Sequence, residues 1–364
     1  MISRLLLFIG RHVDRHLLAA LCALLLVGLI TLYSASGESL PRVGAQLANI
    51  FVAIVIMWLA ANIPHHYLQR LALPVYLFGL ALLFCVWGFG ERVNGAQRWL
   101  HIGVTRIQPS ELMKVAVPMV LAWYFDRYEA VLKLRDFAVA AVMLLVPVLL
   151  IAKQPDLGTA LLIAAAGFYV IFLAGLSWKI LVGLLVAALS SLPLLWSVLH
   201  DYQRQRILTL LDPNQDPLGA GYHTIQATIA LGSGGFFGKG WLNGTQAHLD
   251  FLPERSTDFV FAVFAEEFGL FGNLVLVTLF LFVIGRGMFI TFNASTLFTR
   301  LLSGAITLTF FTYVFVNMGM VSGILPVVGV PLPLISYGGT SLVSILFGMG
   351  ILMSIHTHKR LVKS

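Results

Sequence analysis

The segment LPERSTDFVF, residues 252–261, places three charged side chains directly before an apolar run that begins at Phe259. Glu254, Arg255 and Asp258 would lie where water meets lipid if that run spans a membrane. A carboxylate is costly to hold at such an edge unless a local interaction uses it. Asp258 is therefore the first candidate for a general base. The alternative is a structural role at a helix N-terminus, worth about 0.3–1 kcal/mol through the helix dipole.

The same segment predicts the start of a helix. Ser256 and Thr257 are alternative N-caps for a helix that begins at Asp258. Glu266 and Glu267 follow within an apolar context. On a helix Glu267 would lie opposite Asp258 and Glu266 to its side, so local capping or pairing is the preferred interpretation for both.

A second polar stretch, residues 94–114, contains QPSELMK at 108–114. Pro109 suits the first turn of a helix. Glu111 and Lys114 then lie three residues apart on one helix face. The pair either stabilises a helix end or shapes a polar cavity inside the membrane, and the two interpretations are compatible.

A third stretch, KQPDLGTA at 153–160, contains Lys153 and Asp156. Asp156 is suited to cap the next helix. Taken alone, the cap is the preferred interpretation. A functional role gains weight because the predicted topology puts Asp156 on the same face as Glu111, Lys114 and Asp258.

A long polar segment, residues 200–263, carries Arg204 and Arg206 near its predicted membrane edge. Within it, a short helix is predicted from Tyr222 to Leu231. A later uncharged stretch, GILPVVGVPLPLISYGGTS at 323–341, is rich in proline and glycine. Irregular backbone at membrane depth is tolerated only inside protein or against a cavity. Ser336 is therefore either part of a cavity wall or part of a packed re-entrant turn.

The amino-acid composition predicts the class of fold that positions these residues. The chain has 364 residues, of which 59% are hydrophobic and 11% charged. Soluble domains carry about 25% charged residues, so an integral membrane protein is predicted. The net charge of +7 is spread over loops, which fits cytoplasmic loops and anionic membrane lipids and does not suggest nucleic acid. Cys22 and Cys85 both lie in apolar runs and predict neither a disulfide framework nor a metal cluster.

An all-α polytopic fold with ten membrane-spanning helices is predicted, as one membrane domain over 1–364. Residues 1–15 form a predicted interfacial segment, because the apolar run from Leu5 to Ile9 is too short to span. The bias of Lys and Arg in the short loops puts both termini in the cytoplasm and the 200–263 segment, between spans seven and eight, outside. The predicted spans are 16–34, 46–63, 72–89, 110–126, 137–152, 158–176, 180–199, 264–285, 301–320 and 335–355.

The chain resembles the SEDS family (shape, elongation, division and sporulation) of peptidoglycan glycosyltransferases. The resemblance covers essentially the whole sequence and rests on four segments in the family's order. Within the family, the short N-terminal region, SASG at 34–37 and Arg255 are more similar to elongation members than to division members. Ser256 departs from the histidine that elongation members often carry. The four segments are QPSELMK at 108–114, KQPDLGTA at 153–160, LPERSTDFVFAVFAEEFG at 252–269 and GVPLPLISYGGTS at 329–341.

The resemblance implies polymerisation of lipid II into β-1,4-linked glycan strands for cell elongation and rod shape at the bacterial inner membrane, with the active site on the outer face. The family's proposed catalytic aspartate corresponds to Asp258, and its membrane ion pair to Glu111 and Lys114. A class B penicillin-binding protein is the implied partner, with MreC and MreD as neighbours.

The implied mechanism is a single inverting displacement, because the donor sugar is α-linked and the product β-linked. Cationic groups must then stabilise the leaving pyrophosphate. The candidates for this cationic role are Lys114, Lys153, Arg98, Arg204, Arg206 and a divalent ion such as Mg²⁺ or Mn²⁺.

Three alternative functions stay open: a lipid II flippase or transporter, a non-catalytic scaffold and a division-type polymerase.

Overall fold

The computed structural model describes residues 12–93, 96–102, 105–128, 132–198, 201–212, 221–249, 251–252 and 254–358. The interfacial segment predicted for residues 1–15 lies largely outside these residues. Helices occupy all ten predicted spans, so the helical membrane architecture is confirmed. These ten are α1 Arg15–Ala35, α2 Leu40–Ala61, α3 His65–Phe89, α4 Pro109–Arg127, α5 Leu134–Ala152, α6 Leu157–Leu173, α7 Trp178–Val198, α11 Val260–Phe292, α12 Leu297–Val321 and α13 Thr340–Thr357.

Seven of these helices, α1, α2, α3, α5, α11, α12 and α13, are long and apolar enough to cross a membrane within the described part of the chain. α6 and the Trp178–Ser191 part of α7 are shorter apolar helices. α4 falls outside this group because it carries charged residues at both ends, Glu111 and Lys114 at one and Asp126 and Arg127 at the other.

α4 is the centre of the bundle. It packs against α3, α5, α6, α12 and α13, and its buried side chains, Met113 and Phe125 among them, are distributed around the whole helix. A helix that is apolar on every side belongs in the interior. The pair Glu111 and Lys114, near the start of α4, is therefore held mostly inside the bundle.

α7 is the opposite case. Its apolar side chains, including Val182, Leu185 and Leu189, are largely exposed. In water such a surface would be unfavourable, whereas in a bilayer the lipid tails cover it. α7 thus fits a helix at the lipid boundary.

The long segment before α11 contains three further helices in its described part: α8 Asp201–Leu211, α9 Tyr222–Ser233 and α10 Thr245–His248. The short helix predicted from Tyr222 is confirmed as α9. A small antiparallel sheet before α4 was not predicted. It has the order β1-β2-β3 and consists of β1 Glu91–Val93, β2 Ala96–Ile102 and β3 Thr105–Ile107.

Alternation of direction along the bundle brings one set of helix ends together. The starts of α4, α6, α11 and α13 meet the ends of α1, α3, α5 and α12. Contacts between the connecting segments support this arrangement. The Arg98 guanidinium in β2 reaches the Pro155 carbonyl at 2.6 Å, and a Cβ built on Gly158 would lie 2.8 Å from the Val328 carbonyl oxygen. This group of helix ends is called the outer end below, and the other is called the inner end.

Candidate functional site

Asp258 lies in a turn immediately before α11, and its side chain is partly exposed. The helix begins at Val260 with Phe259 as the N-cap, so the predicted start at Asp258 and the predicted N-caps Ser256 and Thr257 were wrong. The physical reason is local. Thr257 Oγ1 donates to Glu254 Oε2 at 2.9 Å, and the Thr257 and Phe259 N–H groups donate to the Glu254 carbonyl. The Thr257 hydroxyl and the two N–H groups are thus hydrogen-bonded within the turn, and the helix begins only after it.

The segment 329–341 packs directly against this turn. Ser336 Oγ donates to the Thr257 carbonyl at 2.6 Å and accepts from Leu332 N at 2.8 Å. Tyr337 N donates to the Ser256 carbonyl at 2.8 Å. The Ser336 hydroxyl is therefore occupied by the fold, which favours the packed re-entrant turn. Ser336 shapes the site by holding the turn that precedes Asp258.

Asn317 in α12 is a site residue that the sequence reasoning missed. Its Nδ2 donates to the Asp258 carbonyl at 2.9 Å and to the Val330 carbonyl at 2.7 Å. The available signal was an amide inside an apolar span, because such a group must find a partner. The sequence could not identify that partner, which is 59 residues away.

Gln46 in α2 was missed in the same way. Its buried side chain forms two hydrogen bonds with the backbone of the SYGG segment. Nε2 donates to the Ser336 carbonyl at 3.4 Å, and Oε1 accepts from Gly338 N at 3.3 Å. Arg255 lies near the end of α1, since a Cβ on Gly37 would lie 3.8 Å from Arg255 Nη2. The SASG segment is thereby placed beside the LPERSTD turn.

The predicted pair Glu111–Lys114 is present in the first two turns of α4, with Lys114 Nζ 2.7 Å from Glu111 Oε1. The side chains are 15% and 9% exposed. Ser344 of α13 donates to the other carboxylate oxygen at 2.7 Å, and Lys114 lies 5.3 Å from the centre of the Tyr313 ring. The pair therefore joins α4, α12 and α13.

A cavity of about 690 Å³ opens beside Glu111, between α2, the start of α4 and α13. Most of its wall is apolar. The polar part of the wall is contributed by Asn49, Gln108, Glu111, Thr340 and Ser344. An apolar cleft with a few convergent polar groups is the usual form of a ligand site.

Asp156 is the N-cap of α6 and accepts from Thr159 N at 3.2 Å, so the predicted cap is confirmed. Its other oxygen accepts from Gln108 Nε2 at 3.3 Å and lies 3.8 Å from Arg98 Nε. Gln108 also lines the cavity, so Asp156 and Arg98 belong to its polar margin. The side chain of Lys153, at the C-cap of α5, is exposed.

Of the two arginines predicted near the membrane edge of α8, Arg204 and Arg206, only the side chain of Arg204 is described by the structure. Arg204 donates to the Trp196 carbonyl at 3.0 Å and to the Ser197 carbonyl at 2.9 Å. These contacts give Arg204 a role in capping the last turn of α7. The side chain of Arg206 lies outside the described part of the structure.

Glu266 is fully buried in α11 and anchors the segment before it. It accepts from Lys239 Nζ at 2.6 Å, Thr245 N at 2.9 Å and Gln246 N at 3.1 Å. Glu266 is paired as expected, but with partners 20–27 residues earlier in the chain and not within its own helix, so the expected local pairing was wrong. Glu267, also buried, accepts a hydrogen bond from Ser34 Oγ in α1.

α11 is broken at Gly269, where φ is 63°. The glycine-rich loop before it restores the missing backbone hydrogen bonds. Lys239 N and Gly240 N donate to the Glu266 and Glu267 carbonyls, each at 3.0 Å, and Leu270 N donates to the Gly235 carbonyl at 2.9 Å. Irregular backbone at this depth is thus satisfied by protein, as a membrane requires.

The residues that the structure describes contain no group of three or more His, Cys, Asp or Glu that could hold a metal ion. Mg²⁺ and Mn²⁺ bind mainly through several oxygen ligands. The described side chains alone do not fit a complete divalent-cation site. A divalent ion such as Mg²⁺ or Mn²⁺ remains a prediction, and no step below is routed through it.

Together, the apolar helices and the polar outer end define a multi-pass membrane protein with an open cleft and a group of polar side chains at one end of the bundle. The family model for the FtsW, RodA and SpoVE proteins, described as cell cycle protein, matches residues 15–361. The chain belongs to this family, the SEDS family.

Two relatives match over nearly the full length of the chain. The chain is 49% identical to peptidoglycan glycosyltransferase MrdB of Escherichia coli K12, over 96% of this chain and 95% of that protein. It is 35% identical to the probable peptidoglycan glycosyltransferase FtsW of Geobacter metallireducens, over 95% of each chain.

Solved structures show the same fold. A chain of a peptidoglycan synthase complex, studied for the coordination of polymerization and crosslinking, superposes with a TM-score of 0.82 at 34% identity, over 94% of this chain and 97% of that one. The crystal structure of Thermus thermophilus rod shape determining protein RodA superposes with a TM-score of 0.72 at 30% identity, over 94% and 96%.

Proposed function

We propose that this protein is a RodA-type peptidoglycan glycosyltransferase that polymerises lipid II into β-1,4-linked glycan strands, with Asp258 as the general base. It serves cell elongation and rod shape. The 49% identity to a peptidoglycan glycosyltransferase along nearly the whole chain supports the reaction class. The fold shared with RodA supports the same class.

One observation supports the site assignment above the others. The LPERSTD turn and the 329–341 segment, two of the four segments that carry the family resemblance, are hydrogen-bonded to each other around Asp258. A third segment supplies Glu111 and Gln108 to the cavity at the same end of the bundle. The sequence places these segments far apart, and the fold collects them at one end.

The cavity suits a substrate with two unlike parts. Apolar side chains such as Val52, Ile56 and Phe347 offer contacts to a lipid tail, while Gln108 and Glu111 provide polar contacts. Transfer of a long apolar chain into water would be unfavourable by about 0.8 kcal/mol per CH₂. The tail therefore stays in the membrane while the sugar is handled at the polar margin.

The reaction forms one bond and breaks one. The acceptor's 4-hydroxyl oxygen attacks the anomeric carbon of the donor, Asp258 takes the hydroxyl proton, and the bond from that carbon to the pyrophosphate oxygen breaks. Attack from the face opposite the leaving group converts the α linkage to β. A positioned base contributes about 10²–10⁴-fold to such a step.

The leaving pyrophosphate needs cationic support. Lys114 is already paired with Glu111, and Arg98 lies against Asp156. Lys153 has an exposed side chain at the same end of the bundle. We assign Lys153 to the pyrophosphate, Arg98 to its contacts with Asp156 and Pro155, and Lys114 to its pair with Glu111 at the cavity wall.

The proposed setting is the bacterial inner membrane, with both termini in the cytoplasm and the outer end facing the periplasm. The whole chain acts as one membrane domain. A class B penicillin-binding protein would cross-link the strands, with MreC and MreD as neighbours in the elongation complex. The likeness to a chain of a peptidoglycan synthase complex supports a partner of this kind.

The test compares Asp258→Asn and Asp258→Ala with Glu38→Gln, purified with the transpeptidase partner and supplied with labelled lipid II. Glu38 is an exposed carboxylate at the same end of the bundle and serves as the matched control. We expect a loss of about 10²–10⁴-fold in glycan formation for the Asp258 variants and none for Glu38→Gln. Normal polymer from Asp258→Asn would rule out the base assignment. Lipid II transport without any polymer from the unmodified protein would favour the flippase.

A further inference from the structure

Asn317 lies near the end of α12 and is fully buried. Its Nδ2 donates to the carbonyls of Asp258, at 2.9 Å, and Val330, at 2.7 Å. A side-chain amide nitrogen carries two hydrogens, so each hydrogen has one acceptor. This arrangement fixes the orientation of the amide, because a flipped group would direct its oxygen at two carbonyl oxygens.

The Asp258 carbonyl has a specific need for this donor. It precedes Phe259, the N-cap of α11, and the first helical hydrogen bond runs from Ala262 N to the Phe259 carbonyl at 3.0 Å. The Asp258 carbonyl therefore lies outside the helical ladder. A backbone carbonyl in a protein interior requires a partner, and the Asn317 amide supplies one.

Gly329 receives the carboxylate on the other side. Its φ is +72°, and a Cβ built on it would lie 3.3 Å from Asp258 Oδ2. The carboxylate thus packs where a side chain at position 329 would be. Val330, held by Asn317, is the next residue along the chain. One amide consequently fixes both the backbone of Asp258 and the surface against which its carboxylate rests.

We propose that Asn317 is a positioning residue for Asp258, acting through the Asp258 backbone and through Gly329. This inference rests on the proposed function, in which Asp258 is the general base. A misplacement of about 1 Å at a reacting group can cost about 10²-fold in rate. Asn317 touches no reacting atom, so its contribution belongs to the rate of the chemical step and not to lipid II binding.

The first experiment measures kcat and KM for lipid II in Asn317→Leu and Gly329→Ala, each purified with the partner transpeptidase. Leucine has the same branched arrangement of side-chain heavy atoms as asparagine and removes both donated hydrogen bonds. We expect kcat to fall by about 10–100-fold, with KM within about threefold of the unmodified protein. A rise in KM with unchanged kcat would overturn the proposal.

Gly323→Ala is the matched control for Gly329→Ala. Gly323 has a φ of +74°, and a Cβ there would meet only the methyl groups of Thr228 and Thr224, at 3.6 and 3.8 Å. The backbone strain of the two substitutions is therefore alike, and only Gly329→Ala presses on a carboxylate. We expect Gly323→Ala to stay within about twofold of normal kcat. Equal losses in the two variants would overturn the proposal, even where Asn317→Leu does not fold.

A double-mutant cycle separates positioning from general damage. In an Asp258→Asn background, Asn317→Leu should lower the residual rate by less than about twofold, because the group that it positions is gone. A further 10-fold loss would show that Asn317 acts independently and would overturn the inference. Full activity of Asp258→Asn alone would instead refute the base assignment. Loss in Asp258→Asn with normal kcat in Asn317→Leu and Gly329→Ala would refute only the positioning role.

Discussion

The two ends of the bundle use charge in different ways. At the inner end, Asp14 accepts from Arg286 Nη2 at 2.6 Å and Asp126 accepts from Gln69 Nε2 at 2.6 Å and from Phe298 N at 2.9 Å. The first contact joins the start of α1 to α11, and the other two join the end of α4 to α3 and to the start of α12. At the outer end, charged groups lie along irregular segments and beside a cavity. Charged groups at the inner end hold helices together, whereas the outer end keeps polar groups accessible to a substrate.

The largest expected effect follows from breaking the outer pair. Lys114→Met would leave the Glu111 carboxylate in the bundle with only Ser344 as a described partner. Loss of one member of a buried pair costs about 3–5 kcal/mol. We expect a large fall in the free energy of unfolding and a loss of activity of at least tenfold, measured by thermal unfolding and by glycan formation from lipid II.

The control for this variant is the double substitution Glu111→Gln with Lys114→Met. Removing both charges should recover much of the lost stability, because no uncompensated carboxylate remains. Activity should stay low if the pair shapes the substrate cavity. Full activity of the double variant would give the pair a purely structural role and weaken the contrast between the two ends.

The inner end predicts the opposite pattern. Asp14→Asn removes the charge partner of Arg286, and the Asp14 and Arg286 side chains are 1% and 19% exposed. Because Arg286 retains contact with water, we expect a stability loss of about 1–3 kcal/mol. Turnover per folded molecule should be unchanged. A selective loss of turnover at full stability would show that the inner end also contributes to the chemistry.

A smaller effect is expected from pH at the same pair. Burial raises the pKa of Asp14, but hydrogen bonds from Arg286 and Leu17 N and the charges of Arg286 and His356 outweigh it and hold the pKa below its ordinary value of 3.8. A lowered pKa in the folded state stabilises the protein above the unfolded-state value and loses that effect as pH falls through the folded-state pKa. The difference in unfolding temperature between the unmodified protein and Asp14→Asn should therefore shrink as the pH falls below about 4.

The smallest effect separates two cations at the outer end. Lys153→Ala should raise KM for lipid II by about 3–10-fold if its exposed ammonium holds pyrophosphate. Arg204→Ala should change KM by less than about twofold, because its guanidinium already caps α7. Parallel titrations of glycan formation against lipid II would measure both. A larger effect from Arg204 than from Lys153 would reverse the assignment.

Apolar length made the helices predictable. All ten apolar runs form helices, because a helix in a membrane satisfies its backbone hydrogen bonds internally. Its apolar side chains can then face either lipid or the protein interior. The cap by Asp156 and the pair of Glu111 and Lys114 were also predictable, since both depend on spacings of three residues. The proline- and glycine-rich stretch at 323–341 was correctly expected to be irregular over most of its length.

The start of α11 and the contacts of Asp258 were beyond sequence reasoning. The turn at Glu254 captures the Thr257 hydroxyl and delays the helix by two residues, from the predicted Asp258 to Val260. The amide of Asn317 and the bare face of Gly329 act across long chain separations. The sheet before α4 was missed because β1 and β3 have only three residues each and the seven residues of β2 do not alternate strictly between apolar and polar.

The positions along the chain of the hydrogen-bonding partners around α11 also set an order for assembly during synthesis. The loop that completes the break at Gly269 precedes α11 in the chain, so its donors leave the ribosome before the helix that needs them. The partners of the Asp258 turn, from Asn317 to Tyr337, follow it. Chains mature from the N-terminus. A nascent chain that stops before residue 337 thus already holds nine of the ten long helices but lacks the contact from Tyr337 N to the Ser256 carbonyl, so the outer end is completed last.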